Sequence, residues 1–227
     1  MRDLIGVVIP VLQEARAIEA ALDHVAGLPG DWDVVVADGG SRDGTAQIAR
    51  AHPRAPRVLE VRGGRAAQIN AGAEAVAGDP VLFLHVDSRL PASAHASLRA
   101  AARTHVGGNF ALRFEGDDAF AWLLGRIYAL QRLWGVYYGD STIWVRRDAW
   151  ARLGGCRELE IMDDHDLARR IERLGPTACL PGPATTSDRR WRNQGIARTA
   201  LSWILIRYLY LAGVPPNRLA GLYRRIR

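Results

Sequence analysis

Residues 33–45 read DVVVADGGSRDGT. The apolar, mostly β-branched stretch at 34–37 has the composition of a strand buried on both faces. It stops at Asp38, two glycines make a tight turn, and Asp43 or Thr45 is placed to cap a following helix. A strand that turns straight into a helix is the start of a strand–helix–strand unit, and ligands in sheets of such units bind outside the carboxyl ends of the strands. Asp38 stands at such an end. Its carboxylate, an acceptor only, suits the ring N–H of a uracil or thymine as well as it suits a purely structural turn.

The same grammar extends in both directions. Residues 5–11, IGVVIPV, form another buried strand, and 15–27 have helical composition. RVLEV at 57–61 predicts a third strand. An alanine-rich helix follows, with Ala66, Ile69, Ala73 and Val76 on one face. VLFLHVD at 81–87 predicts a fourth strand. The second half changes character. It predicts helices at 91–103, 118–136 and 162–175, strands at 106–116, 141–147 and 177–181, and a short helix and turn at 148–155. The expectation is an α/β fold with a mostly parallel sheet flanked by helices. A first half at 1–90, a second at 91–195 and an apolar helical extension at 196–227 follow from the pattern.

Composition narrows the chemistry. The chain has 227 residues, a formal charge of +6 and 48% apolar residues, which suits one well-buried domain. All 30 basic residues are arginine, so lysine Schiff-base chemistry and a Walker-type lysine are excluded. The arginines are scattered and not interleaved with aromatics, which argues against nucleic acid as a partner. Cys156 and Cys179 lack any CxxC spacing, so neither a disulfide framework nor a structural zinc site is expected. No signal-peptide pattern is read at the start, and the expected compartment is the cytoplasm.

Three polar groups fall near strand or helix ends. His85 and Asp87 close the fourth strand two residues apart, where side chains share a face. They read either as a solvated strand end or as a metal site, with Asp87 offering oxygen to Mg²⁺ and His85 better suited to Mn²⁺. Asp163 and Asp164 open a helix, where carboxylates complement the dipole. Asp166 can pair with Arg170 one turn on. The pair before it is surplus, and one of the two is a candidate general base. RRWRNQG at 189–195 is either a solvated loop or a diphosphate clamp built on forked guanidinium groups.

VVIPVLQE, DGGSRDGT, GRAAQINAGA, FLHVDS and MDDHDL occur in the order and spacing of the family 2 glycosyltransferases, whose fold is GT-A. YGDSTIWVRR, LGG, RRW and YLAGVPP resemble a small bacterial subgroup of that family, the transferase 2 associated with radical-SAM and selenodomain proteins. The resemblance spans nearly the whole chain and implies a glycosyltransferase domain at 1–195, with 1–90 its nucleotide-binding half and 91–195 its acceptor half. It implies inverting transfer from a nucleotide-diphosphate sugar, most often a UDP-sugar, with a divalent metal, Mn or Mg, as cofactor. It places Pro10, Glu14 and Asp38 in the nucleotide pocket and Arg65 near the base or diphosphate. Asp87 matches the last acid of the metal-binding DxD motif, while His85 stands where the first acid would be. Asp164 matches the base, with Asp163 beside it. Arg190 and Trp191 match an arginine–tryptophan element at the donor. Two rivals stand beside this reading. One is a nucleotidyltransferase, which PVLQEARA does not support after the first strand; the other is a non-catalytic, membrane-associated binding protein.

LSWILIRYLYLAG at 201–213 is too short and interrupted to span a bilayer, yet too apolar for a helix in water. Leu201, Leu205, Tyr208 and Leu211 share a face bordered by Trp203 and Tyr210, and Arg207 interrupts the run. Either the helix packs on its own domain or on a second subunit as a homodimer, or it lies on the inner face of the cell membrane with Arg218, Arg224, Arg225 and Arg227 toward anionic lipid. The second option implies a lipid-linked acceptor.

Overall fold

The structure is a computed structural model that describes residues 3–116, 118–188, 192 and 195–226, the last three (224–226) by backbone alone. Five segments build the first half of the sheet: β1 (Ile5–Val11), β2 (Trp32–Asp38), β3 (Arg57–Glu60), β4 (Val81–Phe83) and the short β5 (Ser88–Arg89). Helices α1 (Ile18–Ala26), α2 (Thr45–Ala51) and α3 (Arg65–Ala75) connect the first four. After α4 (Ala94–Ala101) come β6 (Gly107–Phe114), α5 (Ala119–Arg132), a 3₁₀ turn at Gly139–Ser141, β7 (Trp144–Val145), α6 (Arg147–Leu153), α7 (Asp163–Leu174) and β8 (Thr177–Thr186). Two helices, α8 (Ile196–Leu211) and α9 (Pro216–Ile226), follow, broken at Pro215-Pro216.

The eight strands form one sheet in the order β3-β2-β1-β4-β7-β6-β8-β5. β3, β2, β1 and β4 are parallel, β6 and β8 are parallel to each other, and β7 and β5 run against their neighbours. Side chains alternate between two cores, as the period of two requires. Ile5, Val7, Ile9, Leu82 and Trp144 face a core with Ile18, Leu22 and Leu98 from α1 and α4. Val8, Val81, Phe83 and Val145 face the opposite core with Ile69 and Ala73 of α3 and Leu167 and Ile171 of α7. Helices therefore cover both faces. α3 lies close on β1: a Cβ at Gly72 would sit 2.3 Å from a Val8 methyl, so this contact demands glycine.

Three elements depart from expectation. The fourth strand stops at Phe83, and Val86 and Asp87 lie in a turn closed by Ser88 N–H on the His85 carbonyl at 3.0 Å. His85 and Asp87 are thus not strand neighbours. The strand expected at 141–147 is only Trp144–Val145, preceded by the 3₁₀ turn. β8 runs past the proline expected to end it. Its register against β6 shifts between Phe110–Leu180 and Leu112–Ala184, so Pro181, Gly182 and Pro183 sit in a bulge where no ladder donor is needed.

Candidate active site at the carboxyl ends of the strands

The loop after β1 and the loop after β2 are stitched together. Gln13, held at φ +58°, donates its N–H to Ser41 Oγ at 2.8 Å, and its side-chain oxygen accepts Arg42 N–H at 2.7 Å. Glu14 N–H donates to Thr45 Oγ1 at 2.9 Å and Ala15 N–H to Asp43 Oδ2 at 3.0 Å. Asp38 is buried beneath this seam and accepts the Ser41 N–H and hydroxyl. Pro10, half-buried, pairs in register with Ala37. Buried Gln68, on α3, donates to the carbonyls of Val11 and Ala37, both at 2.7 Å, and ties the ends of β1 and β2 to that helix. Pro10 and Glu14 therefore share one rim, with the Asp38 carboxylate buried beneath it and occupied by Ser41.

The acid pair opens α7 and divides. Asp163, with 5% of its side chain exposed, takes both forks of Arg65, from Nε at 2.9 Å and Nη2 at 2.6 Å. Burial works against the Arg65 charge, but Asp164, Asp163 and Asp140 together more than offset it and hold the guanidinium firmly protonated. Asp164 keeps 18% of its side chain exposed and lies 3.5 Å from Arg65 Nη2. It accepts Gly139 N–H at 2.9 Å and its neighbour His165 N–H at 2.8 Å. Gly139 is crowded: a Cβ there would come 2.7 Å from His85 Nε2 and 3.3 Å from Asp164 Oδ2. His85 Nδ1 lies 3.4 Å from Asp140 Oδ1. Arg65, His85, Gly139, Asp140, Asp163 and Asp164 thus converge, although they come from four segments of the chain.

Residues 6–152 match the family model described as glycosyl transferase family 2. The chain belongs to that family. The matched span holds Pro10, Glu14, Asp38, Arg65, His85 and Asp87, but ends before Asp163 and Asp164. This glycosyltransferase also resembles solved structures in fold. A mannosyltransferase from Pyrobaculum calidifontis, in complex with GDP-Man and Mn²⁺, aligns with a TM-score of 0.67 at 19% identity over 97% of this chain and 68% of that one. Residues 1–349 of TarS from S. aureus, with UDP-GlcNAc, align at 0.63 and 17% over 84% of this chain, which spans only 59% of that fragment. Glucosyl-3-phosphoglycerate synthase from Mycobacterium tuberculosis, with Mn²⁺, UDP and glucosyl-3-phosphoglycerate, aligns at 0.59 and 21% over 93% and 80%. No curated protein matches the chain in sequence.

Arg190 and Trp191 lie outside the described residues. Among the described residues no three acidic, histidine or cysteine side chains are grouped to hold a metal by themselves. Sequence reasoning missed four contributors. Gln68 hides in an alanine-rich helix, where only its burial reveals it. Gly139 and Asp140 precede the apolar stretch of YGDSTIW, a polar step that could have marked them. His165 is buried behind Asp164, stacked on Tyr138 with ring centroids 5.5 Å apart and edge-on to Tyr210 of α8 at 5.8 Å.

Proposed function

We propose that this glycosyltransferase moves a sugar, with inversion, from a nucleoside-diphosphate sugar to an acceptor hydroxyl, with Asp164 as general base. The observation that carries the reading is the division of the acid pair. Asp163 spends both oxygens on Arg65, whereas Asp164 stays partly exposed at the mouth of the site. In this reading the Asp164 carboxylate takes the acceptor proton as the acceptor oxygen attacks the anomeric carbon. The bond from that carbon to the diphosphate oxygen breaks, and the nucleoside diphosphate leaves with the electron pair. Pro10 and Glu14 line the nucleotide rim, Asp38 braces it from beneath through Ser41, and Asp163 holds Arg65 in place beside Asp164.

The residues fit a divalent cation shared with the donor. Asp87 offers carboxylate oxygen in the turn after β4, and hard cations of this kind are commonly held by one or two carboxylates with substrate phosphates completing the shell. His85, facing Asp140, suits a supporting role better than direct ligation. Bound there, the ion supplies positive charge for the departing diphosphate. The exposed apolar faces of α5 and α8 support a lipid-linked acceptor. Incubation with a panel of nucleotide sugars, reading release of nucleoside diphosphate, tests the reaction. Release by the wild type but not by Asp164→Asn is expected, and no release from any donor overturns it.

A further inference from the structure

Two helices present apolar side chains to solvent. On α5 and the turn beyond it, Trp122, Ile127, Leu130, Leu133 and Trp134 are exposed, Leu133 by 77% and Trp134 by 71%. On α8, Leu201, Ile204, Leu205, Tyr208 and Leu211 are exposed at helical spacing, while Thr199, Ser202 and Ile206 face inward. The two helices are neighbours: Trp203 of α8 packs against the cluster of Phe114, Ala121 and Leu124 at the base of α5. Isolated exposed apolar residues are ordinary, but two neighbouring helices that each expose several apolar side chains mark an interaction surface.

Charge selects the partner. Neither α5, α8 nor α9 contains an acidic residue, and from 189 to 227 the chain has nine arginines and no acid. Arg126 on α5 and Arg198 on α8 are exposed among or beside the apolar residues. A second copy would bring the same patch against itself, as two-fold symmetry requires, and set arginine against arginine without an acid on these helices to pair with. A bilayer with anionic headgroups accepts both parts, because tryptophan and tyrosine rings settle at headgroup level and arginines meet lipid phosphate. No helix among the described residues is long and apolar enough to cross a membrane.

We infer that α5 and α8 together form a docking surface for an anionic lipid bilayer, on which the chain lies with its active site facing a membrane-borne acceptor. Aromatic contacts connect that surface to the base. Tyr128 of α5 meets Tyr138 at 5.7 Å, Tyr138 stacks on His165 at 5.5 Å, and His165 meets Tyr210 of α8 at 5.8 Å. His165 adjoins Asp164, so the contacts run from both helices to the proposed base. This deepens the proposed function by naming where the acceptor resides, and it is tested without turnover.

The experiment is sedimentation of the full chain with vesicles of phosphatidylglycerol and phosphatidylcholine, and with phosphatidylcholine alone. Pelleting with the anionic vesicles, weakened by added salt, is expected. Leu133→Glu with Tyr208→Glu should lower the bound fraction about tenfold or more, because each puts a carboxylate where an apolar group meets lipid. The melting temperature and nucleoside-diphosphate binding should be unchanged in that variant. A protein that stays in the supernatant at low salt, or one whose pelleting ignores both substitutions, overturns the inference. So does a dimer, seen by sedimentation velocity, that the two substitutions dissociate without any vesicle binding. Vesicle binding without sugar transfer from any donor would sink the proposed reaction and leave the docking surface standing; transfer without vesicle binding would do the reverse.

Discussion

Asp163 and Asp164 are adjacent and chemically identical, yet their surroundings assign them different work. Asp163→Asn removes the carboxylate charge that meets the Arg65 fork in a buried setting. Charge-assisted hydrogen bonds of this kind contribute about 1.5–3 kcal/mol, and the partial exposure of Arg65 places the loss toward the lower figure. Asp163→Asn should therefore lower both the unfolding free energy and kcat. Asp164→Asn should leave stability and nucleoside-diphosphate affinity near wild type and reduce kcat about 10²–10⁴-fold, the range of general base catalysis. Paired denaturation and steady-state measurements separate the two. Retention of most turnover in Asp164→Asn would remove it as the base. His165 gives a second test at this scale. Burial lowers its pKa below the ordinary 6.5, against an opposing pull from Asp164. The folded state then binds fewer protons than the unfolded state, so this contribution to stability is present above pH 6.5 and is lost as the pH falls below it. His24, half-buried and near Arg89, shifts the same way. The melting temperature should fall on acidification to about pH 5, and His165→Phe should blunt that fall while His24 keeps part of it. An identical pH dependence in the variant would contradict the assignment.

Among the elements, the first four strands were legible because each is a short apolar run bounded by turn residues. The site elements were less so. β4 ends at Phe83 because its pairing partner β7 contributes only Trp144 and Val145, which local composition does not show. β8 reads as finished at Pro181, and only the bulge against β6 lets it continue to Thr186. Asp163 and Asp164 were visible as a surplus at a helix start, but the Arg65 that separates them lies 98 residues upstream of Asp163. The apolar face of α8 was readable from spacing, and Leu201, Leu205, Tyr208 and Leu211 are all exposed. Its inward contact through Ile206 was not readable, because the partners Met162 and Leu219 are set by tertiary packing. Gln68 offers a test of how α3 fixes the rim. Gln68→Ala removes its two donated hydrogen bonds, to the carbonyls of Ala37 and of Val11, the latter still accepting the Gly39 N–H at 2.9 Å, which should cost about 0.5–1.5 kcal/mol for each bond lost. Chemical denaturation and nucleoside-diphosphate affinity should both weaken. Loss of stability with unchanged affinity would mean that the rim does not depend on this tie.

On the scale of the whole molecule, α3 ties the carboxyl ends of β1 and β2, through Gln68, to the acidic start of α7, through Arg65. The two helices beyond β8 pack through Met162, Ile206 and Leu219 onto the residue before that acidic start, so the apolar surface and the base are parts of one unit. The central claim is that this site binds a nucleoside diphosphate together with a divalent cation held by Asp87. Calorimetric titration of UDP and GDP into the full chain, with and without Mn²⁺, tests it most directly, with Asp87→Ala alongside. The account predicts binding of at least one nucleotide that strengthens with Mn²⁺ and loses that dependence in Asp87→Ala, while His85→Ala loses much less. Equal affinity with and without the metal, or no binding of either nucleotide, would contradict it.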